Sequence, residues 1–285
     1  MVIDITTAET QHMAASAKNS PIGLFDSGVG GLSVLRVLEQ RLPAENYIYF
    51  GDTARVPYGD RSPQEVRDFT VEIGSWLQDQ GCKMILIACN TATLLGMEAL
   101  AAAAKVPVYG MVEAALAGAM AGGQNAAGLW PLGLIATRGT VESGGYQAAV
   151  AAKAPGQPFY AQSCPDFVPL IEKGILTGPE VEQAVEKYLK PLKEKGVATL
   201  ILGCTHYPFL APAIAAYLGE NVRLVDPARQ LAIMVEDYLK DRGLLNDGAT
   251  TGFREFYCSG GSEAFKAQGS NLLGRPLKEI RKQVF

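Results

Sequence analysis

Two cysteines stand at matching places in the chain, each directly after an apolar run that has the character of a buried strand. Cys89 follows residues 84–88 (MILIA) and Cys204 follows residues 199–203 (TLILG), and a helix is predicted after each. The positive end of a helix dipole stabilises a thiolate, so we expect the pKa of both thiols to fall below the ~8.5 of free cysteine. The sequence therefore predicts two reactive thiols.

Polar residues beside these thiols could bind a ligand or move a proton. Asn90-Thr91 and Thr205-His206 bring side-chain donors suited to a carboxylate, and the His206 imidazole could exchange a proton with Cys204. A purely structural histidine remains an alternative. Cys82 and Cys258 fit the apolar core, and Cys164 fits either the core or the site.

Two loops supply further candidates. Asp26-Ser27-Gly28-Val29-Gly30-Gly31 follows an apolar run, and its glycines let backbone amides approach a ligand. It lacks both the GxGxxG pattern and a Walker lysine, so a nucleotide site is weakly supported. Asp26 could tune a thiol, hold a substrate amino group or simply cap a helix. Tyr58-Gly59 could offer a hydroxyl and an amide, although the residues of this loop by themselves favour an ordinary Pro/Gly turn.

The elements that must position these residues are short apolar strands alternating with helices. Strands are predicted at residues 22–25, 47–50, 84–88, 106–110, 132–136, 158–161, 199–203 and 222–226, and helices at 62–80 and 179–194 among others. Continuous apolar strands separated by helices predict parallel sheets covered on both faces, which is an α/β fold. Ligands of such sheets bind beyond the carboxyl ends of the strands, where both thiols stand.

The chain also carries an internal repeat. IGLF at residues 22–25 recurs as LGLI at 132–135, and ACNT at 88–91 recurs as GCTH at 203–206. Landmarks in one order at nearly one spacing predict two copies of one α/β unit. Packed about a pseudo-twofold axis, the two units would direct Cys89 and Cys204 into one cleft.

Composition limits the classes of function. The formal charge is −4 and 48% of residues are hydrophobic, which favours a packed globular protein without a nucleic-acid partner. No apolar stretch is long enough to span a membrane. Residues 1–20 lack the features of an export signal and are predicted to be a disordered extension, so we expect a cytoplasmic protein whose five cysteines are thiols. No cluster has metal-ligand spacing, and neither a metal nor a cofactor is expected.

Six segments in this order and spacing resemble cofactor-independent glutamate racemases of the aspartate/glutamate racemase superfamily. They are FDSGVGGLSVL, YFGDTARVPYG, ACNTAT, IATRGTV, VPLIEKG and LGCTHYP. The resemblance runs from about residue 21 onward, and residues 112–120 and 128–136 are its less typical parts. It implies two pseudo-symmetric lobes with the active site between them. The first lobe, carrying Cys89, would comprise residues 21–111 and 227–285, and the second, carrying Cys204, residues 112–226.

The resemblance also implies roles for individual residues. Cys89 and Cys204 match the catalytic cysteines, with Cys204 deprotonating L-glutamate and Cys89 reprotonating it to give D-glutamate. Auxiliary roles fall to Asp26 for the first thiol and to His206 and Glu172 for the second. The residues that match substrate-binding positions are Asp26, Ser27, Tyr58, Gly59, Asn90, Thr91, Thr205 and His206, with Thr137 and Thr140 in a further ligand-contacting segment.

The resemblance predicts a cytoplasmic homodimer that takes a small-molecule substrate, glutamate, and supplies D-glutamate for peptidoglycan. An aspartate or other amino-acid racemase with the same cysteine pair is the nearest alternative. A two-lobed amino-acid-binding protein without catalysis is disfavoured by the two cleft thiols. A thiol oxidoreductase is disfavoured because no CxxC motif is present.

Overall fold

A computed structural model describes residues 17–121 and 130–285. Within these residues the strands are β1 (Ile22–Asp26), β2 (Tyr47–Gly51), β3 (Met84–Ile87), β4 (Val108–Gly110), β5 (Leu132–Ala136), β6 (Phe159–Ser163), β7 (Thr199–Gly203), β8 (Arg223–Val225), β9 (Arg254–Cys258) and β10 (Ile280–Lys282). The predicted α/β class and the eight predicted strands are confirmed, with ends shifted by at most two residues.

Helices alternate with the strands. They are α1 (Leu32–Arg41), α2 (Pro63–Asp79), α3 (Asn90–Ala103), α4 (Met111–Met120), α5 (Arg138–Glu142), α6 (Gly145–Lys153), α7 (Phe167–Glu172), α8 (Pro179–Glu194), α9 (Ala211–Leu218), α10 (Pro227–Asp241) and α11 (Ser262–Leu273), with 3-10 turns at Tyr58–Asp60 and Tyr207–Leu210. Local signals set their starts. Helix α2 begins with a Ser62–Glu65 capping box and Pro63, and α10 begins after Asp226, whose carboxylate accepts a hydrogen bond from Ala228 N.

The strands form two sheets in which every described strand pair is parallel. The first sheet has the order β10-β9-β2-β1-β3-β4 and the second has the order β6-β5-β7-β8. The order β2-β1-β3-β4 in the first sheet is therefore repeated as β6-β5-β7-β8 in the second. This repetition confirms the internal repeat, and it makes β3, which precedes Cys89, the counterpart of β7, which precedes Cys204.

Strands β9 and β10 were not predicted. Residues 254–258 (REFYC) mix charged and aromatic side chains, and β10 is mostly exposed, so neither has the continuous apolar run of a buried strand. They extend the first sheet on the side of β2, where Tyr47 lies opposite Arg254 and Gly51 opposite Cys258. The segment after residue 226 thus returns to the sheet that carries Cys89.

The lobe boundaries at residues 111/112 and 226/227 stay a prediction. Of the predicted disordered extension, residues 1–16 lie outside the described part of the chain. Residues 17–19 form a helical turn, and the Lys18 carbonyl accepts a 2.7 Å hydrogen bond from Lys83 Nζ. In the described residues no helix combines the length and apolar character needed to cross a membrane.

Candidate active site

A cavity of about 400 Å³ lies where the carboxyl ends of strands from both sheets meet. Its walls come from the loops after β1, β2 and β3 of the first sheet and after β5, β6 and β7 of the second. The predicted site residues that line it are Asp26, Ser27, Tyr58, Gly59, Cys89, Asn90, Thr91, Cys204, Thr205 and His206, together with Thr137, Thr140 and Glu172. The structure therefore brings all of these positions to one place.

Cys89 caps the N-terminus of α3. Ala92 N lies 3.5 Å from the Cys89 sulfur and donates to it, and the thiol lies 4.0 Å from Ser27 Oγ. Burial, followed by the negative charge of Asp26, raises the pKa of the Cys89 thiol to about 12. The expected lowering is wrong for this residue, because the hydrogen bond from Ala92 only partly offsets the loss of solvent. Cys89 is thus a thiol at neutral pH.

Cys204 has a different environment. Its sulfur lies 3.8 Å from His206 Nδ1, and His206 Nε2 lies 3.4 Å from Glu172 Oε1. Burial lowers the pKa of His206, but the contacts with Cys204 and Glu172 outweigh it and raise the pKa to about 10. A histidine that stays protonated at neutral pH stabilises a thiolate beside it. Cys204 therefore lies beside a positive charge, whereas Cys89 lies beside the negative charge of Asp26.

Asp26 acts electrostatically on Cys89 and on His206. Its carboxylate, 1% exposed, accepts a 2.9 Å hydrogen bond from Gly31 N. Burial raises the pKa of Asp26, although His206 and the surrounding backbone amides lower it in part. The Asp26 charge raises the pKa of Cys89 and of His206. One carboxylate therefore favours the proton on Cys89 and the positive charge on His206.

Asn90 presents an unpaired donor in this region. Tyr146 OH donates a 2.6 Å hydrogen bond to Asn90 Oδ1, whereas Asn90 Nδ2 is buried without an acceptor among the described residues. An unpaired buried amide is costly unless a ligand satisfies it. Tyr146 itself was not identified from the sequence, since nothing in its local pattern distinguishes it from a core tyrosine of α6.

Threonine hydroxyls join the two sheets across the cavity. Thr91 Oγ1 lies 2.9 Å from Thr140 Oγ1, which accepts a 3.0 Å hydrogen bond from Thr137 Oγ1. Ser33 Oγ donates a 2.7 Å hydrogen bond to the carbonyl of Thr205 and so fixes the loop after β7 against α1. These contacts hold the ligand-facing loops of the two sheets together.

At two further points the loops of the two sheets approach each other closely at a glycine. A Cβ on Gly30 would lie 2.3 Å from Thr205 Oγ1 and 2.4 Å from His206 Cε1. A Cβ on Gly139 would lie 2.6 Å from the Gly59 carbonyl oxygen. Real Cβ atoms do not approach other atoms so closely, so these loops require glycine where they meet.

Tyr58 lines the cavity, but its hydroxyl proton is used within the protein. The side chain is 2% exposed and its hydroxyl donates to Asp52. A ligand contact through Tyr58 or Gly59, both at the cavity wall, stays a prediction. Burial and the Asp52 charge raise the pKa of Tyr58, so this hydroxyl keeps its proton.

The remaining cysteines are buried free thiols. Cys82 and Cys258 lie in the core as expected, whereas Cys164 both lies in the core and touches the cavity wall. Burial raises the pKa of the Cys164 thiol, so this thiol keeps its proton at neutral pH. In the described ranges no group of three or more His, Cys, Asp or Glu side chains is arranged to hold a metal ion.

Comparisons with known proteins agree with this geometry. The sequence model of the Asp/Glu/Hydantoin racemase family matches residues 22–235. A glutamate racemase of Thermoanaerobacter sp. strain X514 is 43% identical over 264 residues, covering 91% of this chain and 96% of the relative. The crystal structure of glutamate racemase from Francisella tularensis with D-glutamate matches with a TM-score of 0.85 at 34% identity, covering 94% of this chain and 98% of that one. The Thermus thermophilus glutamate racemase with beta-chloro-D-alanine matches with a TM-score of 0.83 at 41% identity and the same coverage.

Proposed function

The chain belongs to the glutamate racemases of the Asp/Glu/hydantoin racemase family, and from this premise we propose that it interconverts L- and D-glutamate with Cys89 and Cys204 as its two acid–base groups. The protein is thus an isomerase. One observation carries the proposal: thiols from equivalent positions of the two sheets line a single cavity.

The reaction is a proton exchange at one carbon. In the direction from L- to D-glutamate, the Cys204 thiolate removes the α-proton and the Cys89 thiol gives its proton to the opposite face. Cys204 then carries a proton and Cys89 a negative charge, and in the reverse direction the two roles are exchanged. Two groups on opposite faces are needed because a single base would return the proton to the face it came from.

The environments of Cys89 and His206 support this assignment. The pKa of Cys89 near 12 keeps its proton available, and protonated His206 stabilises the negative charge on Cys204.

The carbanionic transition state needs electrostatic stabilisation of the α-carboxylate. Asn90 Nδ2, a buried donor without an acceptor, and the Thr91 and Thr205 side chains are the groups we assign to it. These residues are at most 6% exposed, so their hydrogen bonds act where little water competes. The proposal includes no cofactor: the two thiols carry the proton transfers, and these donors stabilise the carbanionic transition state.

Glutamate is proposed as the substrate because relatives that match nearly the whole chain are named for it, and the Francisella enzyme was crystallised with D-glutamate. From the family resemblance we further propose a cytoplasmic homodimer that provides D-glutamate for peptidoglycan. Light scattering after size-exclusion chromatography tests the assembly, and D-glutamate auxotrophy of a deletion strain tests the cellular role.

The deciding experiment measures racemisation of L-glutamate and L-aspartate by circular dichroism, with and without a chelator. We expect activity on glutamate that the chelator does not change. Cys89→Ala and Cys204→Ala should each abolish it, whereas Cys258→Ala, which removes a buried thiol away from the cavity, should retain it. In deuterium oxide the product should acquire α-deuterium well before the recovered substrate does. Substantial activity in either cavity variant, or equal early labelling of both enantiomers, would exclude the two-thiol mechanism.

A further inference from the structure

A buried carboxylate sits behind the loop that carries Tyr58 and Gly59. Asp52, 0% exposed, accepts hydrogen bonds from Tyr58 OH at 2.5 Å and from Arg55 Nε at 2.6 Å through its Oδ2. Its Oδ1 accepts a 2.7 Å hydrogen bond from Ser259 Oγ, just after β9. Asp52 therefore ties the ligand-facing loop to the segment that was not predicted to contain strands.

Arg55 is held on several sides. Its guanidinium contacts Asp52 and Glu72 and lies over two aromatic rings, 4.1 Å from the Phe69 centroid and 5.5 Å from the Phe285 centroid. Arg55 Nη2 is buried and has no acceptor among the described residues. Contact with the rings therefore contributes to its orientation alongside the two carboxylates.

Phe285 reaches this cluster from the segment that follows β10. Its ring packs on Phe50 at 5.3 Å and on Trp76 at 6.3 Å between centroids, yet 41% of the residue remains exposed. Phe285 is thus packed at the margin of the core and is only partly buried. It contacts Phe50 of β2, which precedes the ligand-facing loop, Trp76 of α2, and Arg55.

We propose that Phe285 is a positioning residue for the substrate-binding loop. Its ring orients the Arg55 guanidinium, and Arg55 in turn binds the Asp52 carboxylate. Asp52 accepts the hydrogen bond from Tyr58, and this contact fixes the neighbouring Gly59 backbone at the cavity wall. No atom of Phe285 lines the cavity, so its effect is on where the loop lies and not on the proton transfers. The inference rests on the proposed function, because it assigns the loop to substrate binding.

This chain of contacts predicts a change in substrate affinity without a change in chemistry. In Phe285→Ala, KM for glutamate should rise about 2- to 5-fold, the factor that corresponds to the ~0.5–1 kcal/mol of an exposed cation–π contact. The value of kcat should stay within about twofold of that of the unmodified protein, because neither thiol is touched. Val284→Ala is the matched control, since Val284 is its neighbour and is 63% exposed.

Two conservative variants separate a ring contact from simple apolar packing. Phe285→Tyr keeps an aromatic face and should keep the original KM, whereas Phe285→Leu removes the face and should raise KM as Phe285→Ala does. Thermal unfolding of each variant shows whether the fold is retained, and if Phe285→Ala does not fold, the Tyr and Leu variants still decide the question.

The results that would overturn the positioning role of Phe285 differ from those that would overturn the proposed function. If the unmodified protein does not racemise glutamate, the proposed function is wrong. If it does, and KM is the same in Phe285→Leu, Phe285→Tyr and Val284→Ala, the positioning role is wrong while the function stands. A fall in kcat at constant KM would also overturn the positioning role, because it would place the effect on the chemical step.

Discussion

Replacing His206 by asparagine tests the electrostatic basis of the proposed reaction. Asparagine removes the positive charge 3.8 Å from the Cys204 sulfur and keeps a polar side chain at that position. Cys204 is 8% exposed, so little water is available to replace the lost cation. The Cys204 thiolate should then be harder to form, and the variant should remove the α-proton of the substrate more slowly.

The expected size of the effect follows from the contact. Two unit charges about 4 Å apart interact by ~4 kcal/mol at an effective dielectric constant of ~20, which is an upper bound because burial of the imidazolium opposes it. A hydrogen bond to a charged group contributes ~1.5–3 kcal/mol net. At ~1.36 kcal/mol for each factor of ten, the variant should lose about 10- to 150-fold in kcat/KM.

The assay is circular dichroism with each enantiomer of glutamate. Enantiomers have equal free energy, so the equilibrium constant is one and kcat/KM must fall by the same factor in both directions. The chain has two histidines, and His12→Asn is the control for replacement of a histidine as such. A folded His206→Asn variant with unchanged kcat/KM would refute the reasoning. NMR titration gives a second check, since an imidazole at position 206 that titrates near its ordinary value of 6.5 instead of about 10 would also contradict it.

Two further predictions concern the contact between the sheets and the state of Cys89. In Gly30→Ala the new Cβ would lie 2.3 Å from Thr205 Oγ1, so we expect displacement of that loop to lower glutamate turnover at least ~10-fold. Gly261→Ala is the control and should keep its turnover, because a Cβ at position 261 meets nothing within 4 Å. Equal kinetics in the two variants would show that the loop at Gly30 can accommodate a Cβ. Because the pKa of Cys89 is raised to about 12, its thiolate fraction should still increase with each pH step above 9. The rate of alkylation of Cys89 by iodoacetamide, measured at that site, should therefore keep rising through pH 10. A plateau of this rate near pH 9 would contradict the raised pKa.

Much of the fold and the membership of the site followed from local sequence patterns. Continuous apolar runs determine buried parallel strands, and the repeated Cys-containing segments after β3 and β7 indicated that two thiols would meet. Parallel strands bring their carboxyl ends to one edge, so residues adjacent to those ends are brought together whatever the loops do in detail. Within each sheet this places Asn90 with Cys89 and His206 with Cys204, and the internal repeat predicted that pseudo-twofold packing would direct the two pairs into one cleft.

The protonation of that site was decided only by the tertiary structure. Helix-terminal position alone predicted a lowered pKa for Cys89, but burial and the Asp26 charge reverse the direction. Likewise, only the structure shows that the hydroxyl of Tyr58, at the cavity wall, donates to Asp52. Strands β9 and β10 escaped prediction because their pairing partners, not their own composition, make them strands. The charges around a group, its exclusion from solvent and the pairing of a strand all depend on residues distant in the chain. A local sequence pattern does not specify which of those residues become neighbours in the fold.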